Sequence, residues 1–209
     1  MTPLAHFEAL WERCSLLSGL HAYLAANAAA VMQPEELLRA EWVARVAALD
    51  LYVHELVTQR LVETFEGLRP PTPQYSALRV ANGTLERIRT ASTPGDASRA
   101  FDLDIRGQLS LVTYQDPDKI ADGIRLVSTT ELWNDVALHL GATPATKTST
   151  AKSLKTQLSL IVRRRNKIAH EGDLEPTAPR VPATILQADV LLVAQFIERI
   201  VRAIEVVAV

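Results

Sequence analysis

Within Leu158–Glu175, LSLIVRRRNKIAHEGDLE, Arg165 is followed directly by a polar residue, Asn166, and five positions on by a histidine, His170. An imidazole beside a guanidinium suits cleavage of an RNA phosphodiester. The imidazole can take the 2′-hydroxyl proton or protonate the leaving oxygen. The guanidinium stabilises charge gathering on the phosphorane-like transition state, and its planar fork matches phosphate oxygens in pairs. Such chemistry needs no metal. The sequence offers no carboxylate–histidine cluster at metal-ligand spacing, and no cofactor is expected. Arg163, Arg164 and Lys167 flank the trio and are the candidates for contact with a polyanionic substrate.

A helix must position these residues. Leu154, Leu158, Ile161 and Ile168 fall on one stripe at steps of 4, 3 and 7. Arg165 occupies the missing step, so a guanidinium stands where the pattern asks for a leucine. A charge there must be paired or must face something other than a dry core. On a straight helix Arg165 and His170 point about 140° apart, whereas Asn166 and His170 share a face. An end to the helix near Ala169 would free His170 to approach Arg165; otherwise the two act with those of a second copy across a symmetric interface. Charge is segregated as well. Val136 to Ala169 contains no acid but carries Lys147, Lys152, Lys155, Arg163, Arg164, Arg165 and Lys167, and Glu171, Asp173 and Glu175 follow at once. A helix C-terminus favours cations, hence the imidazolium form of a histidine.

Each residue also has a plain structural reading. A run such as Arg163-Arg164-Arg165 is commonly a solvated helix face, and a histidine after a helix is commonly a cap. Arg165 fits equally as one half of a buried ion pair with Asp50, which interrupts an apolar stripe of its own.

The whole chain has 209 residues, 48% of them apolar, with few glycines and a formal net charge of -2. It is long enough for a sizeable core, rich in helix formers, and too nearly neutral to coat nucleic acid without a local patch. Its one cysteine, Cys14, excludes an internal disulfide and reads as a small core residue. No leader and no apolar run near the length of a membrane span is legible, so a cytoplasmic chain without a membrane partner is expected.

Taken in order, Thr2-Pro3 caps a first helix running towards Ala30, with Leu10, Leu17, Leu20 and Leu24 among its apolar positions. Gln33-Pro34-Glu35-Glu36 starts a long central helix to about Phe65, stopped at Glu66-Gly67. Leu68 to Gln74, with three prolines, is a stiff connector. A short helix is expected over Ser76–Thr90, a turn at Ser92–Asp96 and weak helix over 97–115. Helices at Pro117–Leu126 and Leu132–Leu140 follow, and the motif helix begins near Thr148 to Thr150. The last helix carries Leu186, Val190, Val193, Ile197, Ile200, Ile204 and Val207 in steps of 4 and 3, a seam for one partner helix. The chain reads as one all-α domain, 1–209, with 68–146 elaborating the space between two core hairpins.

Arg165-Asn166-x-x-x-His170 resembles the motif of HEPN domains: Arg, a polar residue and then His near the end of a core helix. The wording Arg-Arg-Asn-Lys-Ile-Ala-His-Glu-Gly-Asp is close to the RiboL-PSP-HEPN subgroup. Leu49-Asp50-Leu51-Tyr52-Val53-His54-Glu55-Leu56 resembles that subgroup's second core helix, and Asp116–Ala121 and Leu132-Trp133 resemble its middle segment. The resemblance implies a bundle of four to five core helices, with additional short helices inserted in the middle. It implies a homodimer that brings two motifs to one composite site. It also implies a metal-independent endoribonuclease acting on single-stranded RNA in a toxin–antitoxin or antiphage-defence setting, alongside a partner or antitoxin protein. Arg165 and His170 would be catalytic, and Asn166 would orient His170 or contact substrate. Some HEPN domains are non-catalytic RNA-binding or protein-interaction modules. In another HEPN type a tyrosine three positions after the histidine is modified by a nucleotidyltransferase; here Asp173 stands there, so that regulation is not implied.

Overall fold

The computed structural model describes residues 1–27 and 32–208, and among these the chain is built from nine helices. They are α1 (Pro3–Asn27), α2 (Glu35–Phe65), α3 (Pro73–Ser76), α4 (Asn82–Arg89), α5 (Pro94–Leu109), α6 (Pro117–Arg125), α7 (Leu132–His139), α8 (Lys147–Glu171) and α9 (Gln187–Val207). Among the described residues the sole β-type pairing is an isolated bridge between Leu174 and Pro182. The expected end of the first helix at Ala30 lies outside the described residues.

α2 is the axis. Glu35 and Glu36 place acids in its first turn, where the helix dipole favours them. At its other end the Leu68 amide reaches back to the Glu63 carbonyl, with Gly67 in the left-handed conformation at φ 76°. Its apolar circumference packs against α1, α5, α6, α8 and α9. Val46, Leu49, Val53, Leu56, Val57 and Leu61 are fully buried, each stabilising the fold by about 1.5–3 kcal/mol. One hydrophobic cluster runs from Phe7 to Ala208.

α1 buries Phe7 and Cys14 against α2, whereas Leu20, expected on its apolar side, is exposed. The helix expected over Ser76–Thr90 is split. The Thr72 hydroxyl accepts the Tyr75 amide and Pro73 takes the first position of α3, one turn earlier than expected. The chain then leaves the helix through a turn in which the Leu78 amide donates to the Tyr75 carbonyl, and Leu78 and Val80 both pack against the core before α4 begins. The expected turn at Ser92–Asp96 is instead the start of α5: Thr93 caps the Asp96 amide and Pro94 is the first helical residue. α9 packs on both α2 and α7 rather than on a single partner.

The insert is tied to the bundle at defined points. Asp116 caps α6, and the Trp133 indole donates to the Pro117 carbonyl at 2.8 Å. Asp50 on α2 accepts the Tyr114 amide at 2.5 Å and the Gln115 side-chain amide at 2.9 Å. α7 lies against α8 and α9, so the insert forms one wall of the bundle that carries the motif.

Candidate functional site

α8 holds the motif to its final turn. Leu154, Leu158 and Ile161 are buried, Ile168 is half-buried against the core, and Arg165 sits between them, half-buried. The Trp42 indole of α2 donates to the Ile161 carbonyl at 3.1 Å, fixing the two helices side by side just below the arginines. The helix does not end near Ala169. It continues to Glu171, and Gly172 at φ 66° closes it, with the amides of Gly172 and Asp173 both directed at the Lys167 carbonyl. His170 therefore stays helical, about 140° around the axis from Arg165. The convergence of Arg165 and His170 within one chain, which an earlier helix end would allow, is not what the fold builds.

Arg165 donates from Nη1 to the Asn166 amide oxygen at 3.0 Å, and its Nε is buried without a hydrogen-bond partner. Asn166 and His170 are exposed, one turn apart on the outward face. The expected pairing of Arg165 with Asp50 is corrected by the geometry: Asp50 holds Tyr114 and Gln115 and lies 3.5 Å from the His54 Nε2. Burial works to raise the Asp50 carboxyl, but the bonds from His54, Gln115 and Tyr114 outweigh it and hold the carboxyl below the usual range. Among the described residues Arg165 forms no ion pair, and neither do Lys152, Arg163 and Lys167.

Arg164, expected as a substrate contact, is engaged within the fold. Its guanidinium lies 5.0 Å over the Trp42 ring and donates to the Asp173 carboxylate at 3.2 Å and to the Thr184 carbonyl at 2.8 Å. Arg39 of α2 meets the same carboxylate at 3.3 Å and donates to the Ala183 carbonyl at 2.6 Å. Asp173 is 1% exposed with φ 53°, a left-handed conformation that aspartate tolerates better than most residues. Two arginines from two helices thus clamp one buried acid and the loop that leads to α9. Arg164 braces the helix end, whereas its neighbours Arg163, Arg165 and Lys167 are left without a carboxylate partner among the described residues. The bracing roles of Asp173, Arg39 and Trp42 are not apparent from the sequence. The available signal was Gly172-Asp173 itself, a helix-stopping glycine followed by an acid directly after a run of cations.

The arrangement can offer a guanidinium and an imidazole on opposite flanks of one helix end. Among the described residues no group of three or more His, Cys, Asp or Glu side chains converges as a metal site, and no helix is long and apolar enough to cross a membrane. The family model described as RiboL-PSP-HEPN matches residues 8–208. The chain belongs to the RiboL-PSP-HEPN family. No curated protein and no solved structure matches it. Membership accords with the all-α bundle described above, and HEPN domains are often ribonucleases, so the family points to a nuclease or another RNA-related function.

Proposed function

We propose that this HEPN chain is a homodimeric, metal-independent endoribonuclease that cuts single-stranded RNA. Residues 1–209 act as one domain. It works in the cytoplasm as a toxin or defence effector held in check by a partner protein. The observation that carries the reading is Arg165: a half-buried guanidinium in a core stripe with no carboxylate partner among the described residues, bonded to Asn166 one turn from an exposed His170. Two α8 helices meeting about a two-fold axis would set the Arg165 flank of one subunit against the His170 flank of the other. His170 then moves the 2′-hydroxyl or leaving-group proton while Arg165 holds the phosphoryl oxygens. Asn166 keeps the guanidinium in line, and Arg163 and Lys167 hold neighbouring phosphates.

RNA incubated with the protein in EDTA should be cut to 2′,3′-cyclic phosphate or 3′-phosphate ends. Arg165→Ala and His170→Ala should each lower the rate by two orders of magnitude or more at unchanged melting temperature. Mixing the two inactive variants should restore about a quarter of the parent rate, because half the dimers are mixed and each of those holds one intact Arg–His pair. Parent-like cutting by both single variants would remove these residues from the site, and silence on mixing would remove the shared one. The clamp on Asp173 favours a second reading, in which the basic helix end is structural and the chain is an RNA-binding or protein-interaction module. That reading expects a stable RNA complex with no cleavage product.

A further inference from the structure

A cleft of ≈ 690 Å³ opens between α6, α7 and the first half of α8, away from the helix end that carries His170. Pockets of about 300–1,000 Å³ take small organic ligands. The apolar lining comes from Ala121, Leu132, Trp133 and Ala151. The Trp133 ring is fixed by its bond to the Pro117 carbonyl, so this wall is preformed. Ser128, Thr129, Thr130 and Asn134 add hydroxyl and amide groups that can donate or accept. Lys152, Lys155 and Arg125 line it as cations, beside the carboxylates of Asp118 and Glu131. Asp118 engages Lys155 at 2.5 Å and Arg125 pairs with Asp122, whereas Lys152 forms no ion pair among the described residues. An apolar lining, a set of two-way hydrogen-bonding groups and one unpaired ammonium match the base, the edge and the phosphate of a nucleotide.

The position on α8 adds a second argument. At 100° per residue, Lys152, Lys155, Arg163, Asn166 and His170 fall within about 80° of arc, and all but the half-buried Lys155 are exposed. Lys155 and Asn166 stand about 16 Å apart along the axis, a span that a few nucleotides of extended strand cover. From Val136 to Ala169 no acid interrupts that helix face.

We propose that the α6–α7–α8 cleft is a nucleotide-binding subsite, with the base against Leu132 and Trp133 and the phosphate at Lys152. The strand part of this inference, an RNA chain running along α8 from the cleft to His170, rests on the ribonuclease reading; the pocket does not. The same chemistry serves a nucleotide within RNA or a free mononucleotide, and binding measurements separate the two.

The test uses the full chain carrying His170→Ala, so that RNA survives, with Thr148→Trp to fill the mouth of the cleft and Lys152→Glu to reverse its free charge. Both positions are exposed. Affinity is measured for short single-stranded RNA by anisotropy and for the four 5′-mononucleotides by calorimetry. Each substitution should weaken binding about tenfold or more at unchanged melting temperature. Loss of RNA affinity with no mononucleotide binding assigns the subsite to the strand. Mononucleotide binding that either variant abolishes, with RNA affinity unchanged, assigns it to a free nucleotide. If neither variant changes the affinity of either ligand, or neither ligand binds, the inference is overturned. Failure of the EDTA cleavage assay strikes the catalytic reading and leaves this pocket to be judged by binding.

Discussion

Asp173 holds two guanidinium groups from its place at the head of the loop after α8, and it is nearly inaccessible to water. Removing one member of a buried charge cluster leaves the others desolvated and unpaired. Asp173→Ala should therefore destabilise the protein by about 3–5 kcal/mol in urea unfolding. Asp173→Asn should cost less, since asparagine also accepts a hydrogen bond and tolerates positive φ. Equal losses for the two would mean that the charge is not what binds the loop. Residue types and spacing made Arg165, Asn166 and His170 legible in the sequence, because a guanidinium in a leucine register is an anomaly visible in one dimension. The division of labour between neighbouring arginines was not legible. Arg164 and Arg165 differ by a single helical step, and only the positions of Trp42 and Asp173 turn one into a brace and leave the other unpaired.

At the scale of elements, helix starts with a threonine or aspartate before a proline carry their own signal, and α6 begins at Pro117 as expected. The same grammar at Thr72-Pro73 and Thr93-Pro94 is masked, because clustered proline suggests a connector or a turn before it suggests a first helical turn. The break between α3 and α4 had no local signal, since burial of Leu78 and Val80 by the core overrides helix propensity there. Two glycines give tests. At Gly172 the φ of 66° disfavours any side chain, so Gly172→Ala should cost about 1 kcal/mol and fray the turn that carries His170. Faster amide exchange at Ala169–Glu171 would register it, and unchanged exchange would deny the glycine that role. At Gly123 on α6 an added Cβ would lie 2.6 Å from the Tyr114 ring, and Gly123→Ala should lower stability by about 1–3 kcal/mol through overpacking.

Across the whole molecule, α2 packs against α1, α5, α6, α8 and α9, and its carboxylates give the fold an acid limit. Asp50 and Glu55 both ionise below the usual carboxylate range, Asp50 through hydrogen bonds that overcome its burial and Glu55 chiefly through its bond from Arg106. A group with a depressed folded pKa contributes fully above its unfolded value, about 4, and loses that contribution as pH falls through the folded one. The melting temperature should hold from neutrality to about pH 5 and then fall. Asp50→Asn should melt lower at pH 7 yet lose less on acidification; an acid slope as steep as the parent's would rule Asp50 out as its source. The bundle class and the central role of α2 were legible because hydrophobic periodicity is a property of single helices. The cleft was not, because its walls come from segments as distant as Pro73 and Lys155, and no window of sequence contains them together.

Trp42 sits where these scales meet, its N–H on the Ile161 carbonyl and its ring under the Arg164 guanidinium. An indole is also a fluorophore, and its emission responds to a nearby cation and to the carbonyl it bonds. The protein thus carries an optical gauge beneath its own motif. With Trp11 and Trp133 replaced by phenylalanine, the colour and intensity of Trp42 would follow the brace on the motif helix in real time, without a label, while RNA or a second subunit arrives.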